Sequence, residues 1–184
     1  MIAVDWGSSS LRAYRLAADG AIRERRRADI GALDCADHAA TLSAELEGWD
    51  DADIVLCGAI GGRGGWREAP YVECPASTDS LAATLLRLEP EPPSFRGRTL
   101  RIVPGVLDRA SSPVADTMRG EESQVVGLLH SGRFDGGVVC LPGTHSKWVR
   151  VRDGAIAAIH TAMTGEVYAL LRRHSVLARL VHVL

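Results

Sequence analysis

The sequence predicts an α/β protein, and three observations predict it. Apolar runs of strand length recur along the chain, helix-period segments separate them, and one pattern occurs twice. That pattern is strand, small-residue turn, strand, Asp-Gly turn, strand. With 184 residues, 46% of them hydrophobic, the chain suffices for one sizeable core and the start of a second.

The first copy opens the chain. IAVDW (2–6) reads as a buried strand, and LRAYRLA (11–17) alternates apolar with polar, as a half-buried strand does. Asp19-Gly20 is a hairpin turn signal, so AIRERRRADI continues as a third strand. Its arginines suit the solvated face of an edge strand, where charge discourages pairing with other chains. Asp37 is placed to cap a helix running to Leu46, with Leu42 and Leu46 on one face. DIVLCG (53–58) is a further buried strand, followed by a glycine-rich loop and a helix near 79–88. EPEPPSFRG is proline-rich and reads as loop. LRIVPG (100–105) is a strand stopped by Pro-Gly. Glu121 and Glu122 lead a helix near 121–131, because carboxylates favour a helix N-terminus. The second copy of the pattern is GGVVCLPGTHSKWVRVRDGAIAAIHT, and two such hairpins predict two similar half-structures facing a cleft. The chain closes on a helix-like stretch, GEVYALLRRHSVLARLVHVL.

Composition narrows the function. A net charge of -2 gives no basis for binding nucleic acid or an anionic membrane. No signal peptide precedes the first strand, and no apolar run approaches the roughly 20 residues of a membrane span. Cys35, Cys57, Cys74 and Cys140 contain no C-x-x-C pair, and two of them sit in apolar runs. They read as reduced structural thiols in a cytoplasmic protein, with no zinc site. Of 21 basic residues, only Lys147 is a lysine. Near phosphate it offers a compact point charge, which arginine does not.

Four loops carry the chemistry. In the first, Gly7, Ser8, Ser9 and Ser10 can wrap phosphate oxygens with backbone N–H groups and hydroxyls. Asp5 beside them would repel phosphate unless Mg²⁺ lay between. Gly143, Thr144, His145, Ser146 and Lys147 form the partner loop. The adjacent His145 and Ser146 do not make a hydrolase triad, since no G-x-S-x-G elbow exists. MRGEESQ (118–124) offers Glu121 and Glu122, one of which could accept a proton from a substrate hydroxyl; the sequence does not choose between them, and Asp116 is a lesser candidate. In GAIGGRGGWREAPYVECP (58–75), Arg63 suits a planar carboxylate, and Trp66 and Tyr71 could line a sugar-like ligand.

Taken together, VDWGSSSLRAYRL, CGAIGGRGGWREAPYVECPA, RIVPGV, DTMRGEESQ, CLPGTHSKWVRVRDG and TAMTGEVYALLRRHSVL resemble the 2-dehydro-3-deoxygalactonokinases of the sugar kinase/Hsp70/actin superfamily. The resemblance implies a ribonuclease H-like α/β core. It implies a first domain over 1–134 and, over 135–184, the start of a second. It also implies transfer of the ATP γ-phosphate to the 6-hydroxyl of 2-dehydro-3-deoxy-D-galactonate, with Mg²⁺ near Asp5. Asp5 to Ser10 match the first phosphate loop and Gly143 to Lys147 the second. Arg63 and Trp66 fall in the acid-sugar loop, with Tyr71 and Arg119 as further substrate contacts. Members of the family are longer, so the chain resembles a shortened member, and its last residues, ARLVHVL, would expose an apolar face that favours self-association. Two other readings compete: a phosphohydrolase of the exopolyphosphatase kind, which needs no aromatic wall, and a remnant that only binds a ligand or partner.

Overall fold

In a computed structural model, residues 1–89, 92–110 and 113–179 are described. The first copy of the repeated pattern folds as expected. β1 (Ile2–Trp6), β2 (Leu11–Leu16) and β3 (Ile22–Ala28) form an antiparallel meander, and Gly20 turns the second hairpin at φ 83°. On β1 the side chains of Ile2, Val4 and Trp6 enter the core, while Ala3 and Asp5 lie on the other face. β3 is the sheet's edge, and most of its arginines are solvated.

α1 (His38–Glu45) starts at Asp37, whose side chain accepts the Ala40 N–H at 2.9 Å; Leu42 and Leu46 are buried. β4 (Asp53–Cys57) then pairs parallel to β1. Chain-distant segments add the rest. β5 (Tyr71–Glu73) and β6 (Ala76–Ser77) follow the glycine loop, and α2 (Thr78–Ala83) follows them. The helix expected near 79–88 is therefore shorter. A capping box between Ser77 and Ser80 starts it, and it ends at Thr84 because Leu86–Arg87 forms an edge strand, β7. β7 pairs antiparallel with β8 (Thr99–Ile102), which itself runs parallel to β4. In the proline-rich segment, residues 90 and 91 lie outside the described ones, and Pro93–Phe95 make a short turn that buries Phe95.

The expected strand at 100–105 ends early. Pro104 has no N–H to continue the ladder, and Gly105 opens a new strand, β9 (Gly105–Asp108), in another sheet. β10 (Asp116–Met118) pairs with β9, and α3 (Glu121–His130) follows. The second copy gives β11 (Gly137–Leu141), β12 (Ser146–Arg152) and β13 (Ala155–Ala162), turned at Asp153 (φ 52°) and Gly154 (φ 70°). The terminal helix is shorter than expected. α4 (Thr164–His174) breaks at Ser175, whose hydroxyl bonds back to Leu171 O, and a short turn over Val176–Arg179 follows. The expected apolar face of ARLVHVL falls largely on residues 180–184, outside the described ones.

Among the described residues the strands form three sheets. The largest has the order β3-β2-β1-β4-β8-β7, an antiparallel meander continued by parallel strands, as the ribonuclease H-like expectation requires. The others are β10-β9-β5 and β11-β12-β13-β6. One core packs against the first sheet; the second draws Ala76, Leu81, Val106 and Met118 together with Val149, Val151, Ile156 and Ile159, so it spans both sides of residue 134.

The two smaller sheets are joined by carboxylates. Asp108 and Asp116 face each other across β9 and β10. Asp108 accepts the Ile159 N–H at 2.9 Å, and Asp116 accepts the Thr161 N–H at 2.6 Å. Both bonds supply the acceptors that a neighbouring strand's carbonyls would otherwise give β13. Asp116 is thus committed to the architecture.

Candidate functional site

The site lies beyond the carboxyl ends of β1 and β4, where ligands of open α/β sheets generally bind. A cleft of about 480 Å³ gathers the first loop (Gly7 to Ser10), the second (Gly143 to His145), and Asp5, Arg119, Glu121 and Lys147.

Backbone bonds fix the first loop. The Gly7 N–H donates to Ser10 O at 3.0 Å, and the Ala32 N–H donates to Gly7 O at 2.9 Å. Gly31 packs beneath it so closely that a Cβ there would fall 2.1 Å from Ser8 O. Asp5 pairs across the hairpin with Arg12, whose Nη1 donates to its carboxylate at 3.0 Å. Both side chains are about two-fifths exposed, so the pair contributes little to stability.

The wall opposite the sheet is the start of α3. Gly120 (φ 111°) and Gly58 (φ 95°) let the helix meet the end of β4, since a Cβ on Gly120 would sit 3.0 Å from Gly58 Cα. This geometry separates the two glutamates. Glu121 lines the cleft, and its Oε2 accepts the Arg119 N–H at 3.1 Å. Glu122 is fully buried away from it, with both oxygens accepting the Gly120 N–H at 2.8 and 2.7 Å. Burial pushes the Glu122 carboxyl up to about 8, against these bonds. Burial, reinforced by the Asp5 charge, pushes the neighbouring Cys57 thiol up to about 12, which leaves it an unreactive thiol.

Lys147, the lone lysine, is nearly buried. Its Nζ donates to Thr117 O at 2.6 Å and Thr161 Oγ1 at 2.7 Å, and lies 4.0 Å from Asp116. Arg119 donates through Nη2 to Ala69 O at 2.8 Å and lies over the Tyr71 ring, 4.3 Å from its centroid. Its Nε and Nη1 are buried, with no hydrogen-bond partner among the described residues. The cleft thus holds Arg12, Arg119 and Lys147 with Asp5 and Glu121, a cationic surface with two carboxylates.

Several expected site residues stand elsewhere. Ser146 bonds the Thr164 hydroxyl and does not line the cleft. Trp66 packs on the first core and stacks on His38, at 6.0 Å between centroids. Arg63 is exposed on its glycine loop, and Tyr71 meets the cleft only through Arg119. Sequence reasoning missed Arg12, Gly58 and Gln124. Arg12 was findable, because hairpin register sets it opposite Asp5.

Fold and cleft together define an α/β protein of the ribonuclease H-like class, with a cleft between two turns that Arg12, Arg119 and Lys147 line. The chain belongs to the 2-keto-3-deoxy-galactonokinase family, whose model matches residues 5–183. It is 37% identical to the probable 2-dehydro-3-deoxygalactonokinase DgoK1 of Rhizobium meliloti (strain 1021), over 97% of this chain and 58% of that protein. It is 32% identical to the 2-dehydro-3-deoxygalactonokinase of Escherichia coli (strain K12), over 96% of this chain and 58% of that one. A crystal structure from Sinorhizobium meliloti, assigned provisionally as a 2-dehydro-3-deoxygalactonokinase, superposes with a TM-score of 0.89 at 36% identity. It covers all of this chain and 60% of its own. The chain therefore spans a little under three-fifths of the length of the curated relatives it matches. Among the described residues, no helix is long and apolar enough to cross a membrane.

Proposed function

We propose that the cleft binds the triphosphate of ATP, and that the chain carries the phosphoryl-transfer site of a sugar-acid kinase acting on the 6-hydroxyl of 2-dehydro-3-deoxy-D-galactonate. One observation carries this reading: two glycine- and hydroxyl-bearing turns, from the two copies of one strand pattern, line a single cleft with Lys147 and Glu121. Kinases named for that substrate are its relatives.

Each residue then has a task. The N–H groups and hydroxyls of residues 8–10 and 143–144 donate to phosphate oxygens. Lys147, held by Thr117 and Thr161, presents fixed positive charge. Glu121 takes the proton of the sugar hydroxyl, since it faces the cleft and Glu122 does not. Arg119, which lines the cleft beside Glu121, receives the sugar carboxylate, because its guanidinium fork suits a planar anion. Tyr71 backs that acid-sugar end, since the Arg119 guanidinium lies over its ring.

Among the described residues no group of three or more His, Cys, Asp or Glu could cage a metal. Mg²⁺ arriving with phosphates needs only one or two carboxylates, so the oxygen donors here fit it. Asp5 would hold the ion, whose chemistry is to neutralise phosphate charge.

A second reading is binding of a ligand or partner without turnover. α4 also exposes Val167, Tyr168, Leu170 and Leu171, a surface suited to self-association. A coupled kinase assay with the sugar acid, ATP and Mg²⁺ tests the proposal beside a polyphosphate-hydrolysis assay. Sugar phosphorylation supports it. Ligand binding without turnover moves the reading to the second, and phosphate release from polyphosphate alone moves it to a hydrolase.

A further inference from the structure

One turn of helix holds the second loop from behind. The Ser146 hydroxyl bonds that of Thr164 at the start of α4. The Glu166 N–H donates to Thr144 O at 3.0 Å. Gly165 packs so tightly that a Cβ there would lie 2.5 Å from Gly143 O. Glu166 adds a contact through its side chain, whose carboxylate lies 2.5 Å from His145 Nε2. A carboxylate only accepts, so Nε2 carries a proton. That leaves Nδ1 as the ring nitrogen available to a ligand in the cleft that His145 lines.

We propose that Glu166 is a positioning residue for the phosphate site: it fixes His145 with Nε2 protonated and Nδ1 free to meet a phosphate oxygen. The proposal rests on the phosphate reading of the cleft. Phosphate oxygens also only accept, so an imidazole bridging Glu166 and phosphate carries both protons and adds a positive charge where the anion sits. The carboxylate balances that charge. Both side chains are more than one-third exposed, and exposed pairs add little to stability. Removing Glu166 should therefore loosen the imidazole without unfolding the chain.

Long-range proton–nitrogen NMR of the ¹⁵N-labelled chain reads this directly, with His145 assigned by its loss in His145→Gln. The unliganded wild type shows Nε2 as the N–H, and inorganic tripolyphosphate converts both nitrogens to N–H. Glu166→Ala gives a tautomer mixture and weakens tripolyphosphate about tenfold, the usual scale for one charge-assisted hydrogen bond. Glu166→Gln, which keeps an acceptor oxygen, restores the tautomer. An unchanged His145 spectrum in Glu166→Ala overturns the proposal. If Glu166 controls the tautomer but tripolyphosphate does not bind the wild type, the phosphate reading fails and the positioning of His145 stands.

Discussion

Replacing Glu122 with glutamine separates the roles of the two adjacent glutamates. The Glu122 carboxyl is wholly buried, and burial raises it from 4.5 to about 8. Between those values the native chain keeps a proton that the unfolded chain has released. The associated stability is therefore full below about pH 4.5 and is lost as pH rises towards 8. From pH 5 to pH 7 the loss is on the order of 2–3 kcal/mol. The lowered carboxyls of Glu24, which Trp49 and Arg15 hold down, and of Asp51, which the N-terminus and Arg15 hold down against its burial, act in the opposite direction. Their window lies lower, and the variant shares it. Urea denaturation of wild type and Glu122→Gln at pH 5, 6 and 7 isolates the Glu122 contribution. The wild type should lose more stability across this range by roughly the amount above. Parallel pH dependences would refute the assignment of Glu122 as a buried structural carboxyl.

The remaining predictions concern the cleft and its frame. Glu121→Gln should leave the urea midpoint unchanged and lower kcat about 10²- to 10⁴-fold in the sugar kinase assay, as loss of a general base does. Gly31→Ala puts a Cβ 2.1 Å from Ser8 O, so the first loop must shift. The expected cost is about 1–3 kcal/mol by denaturation, together with weakened tripolyphosphate binding by calorimetry. Asp108→Ala strands the buried Ile159 N–H and should cost about 1–3 kcal/mol, read from the same denaturation curves.

Much of this was legible in the chain itself. Alternation in IAVDW and LRAYRLA, the Asp37 cap and the two Asp-Gly turns are local signals, and the structure follows them. Two- and three-residue strands such as β6 and β5 carry no period and exist only because distant partners receive them. The same reason explains β7, which replaced the end of an expected helix. At the site, Asp5, the serine turn and the Gly-Thr-His turn were readable as residue types, and the choice between Glu121 and Glu122 was not. That choice depends on the angle at which α3 meets β4, which two glycines at positive φ set. Nor does the sequence show that Trp66 packs on the first core and stacks on His38, because that depends on a contact between segments distant in the chain.

Amide-shift mapping of the ¹⁵N-labelled chain during titration with Mg²⁺ and tripolyphosphate tests the central claim most directly. Joint, saturable shifts at the amides of residues 7–10 and 143–147 are the predicted result. Shifts confined to one of these turns, or centred elsewhere on the molecule, would contradict a phosphate site shared between them.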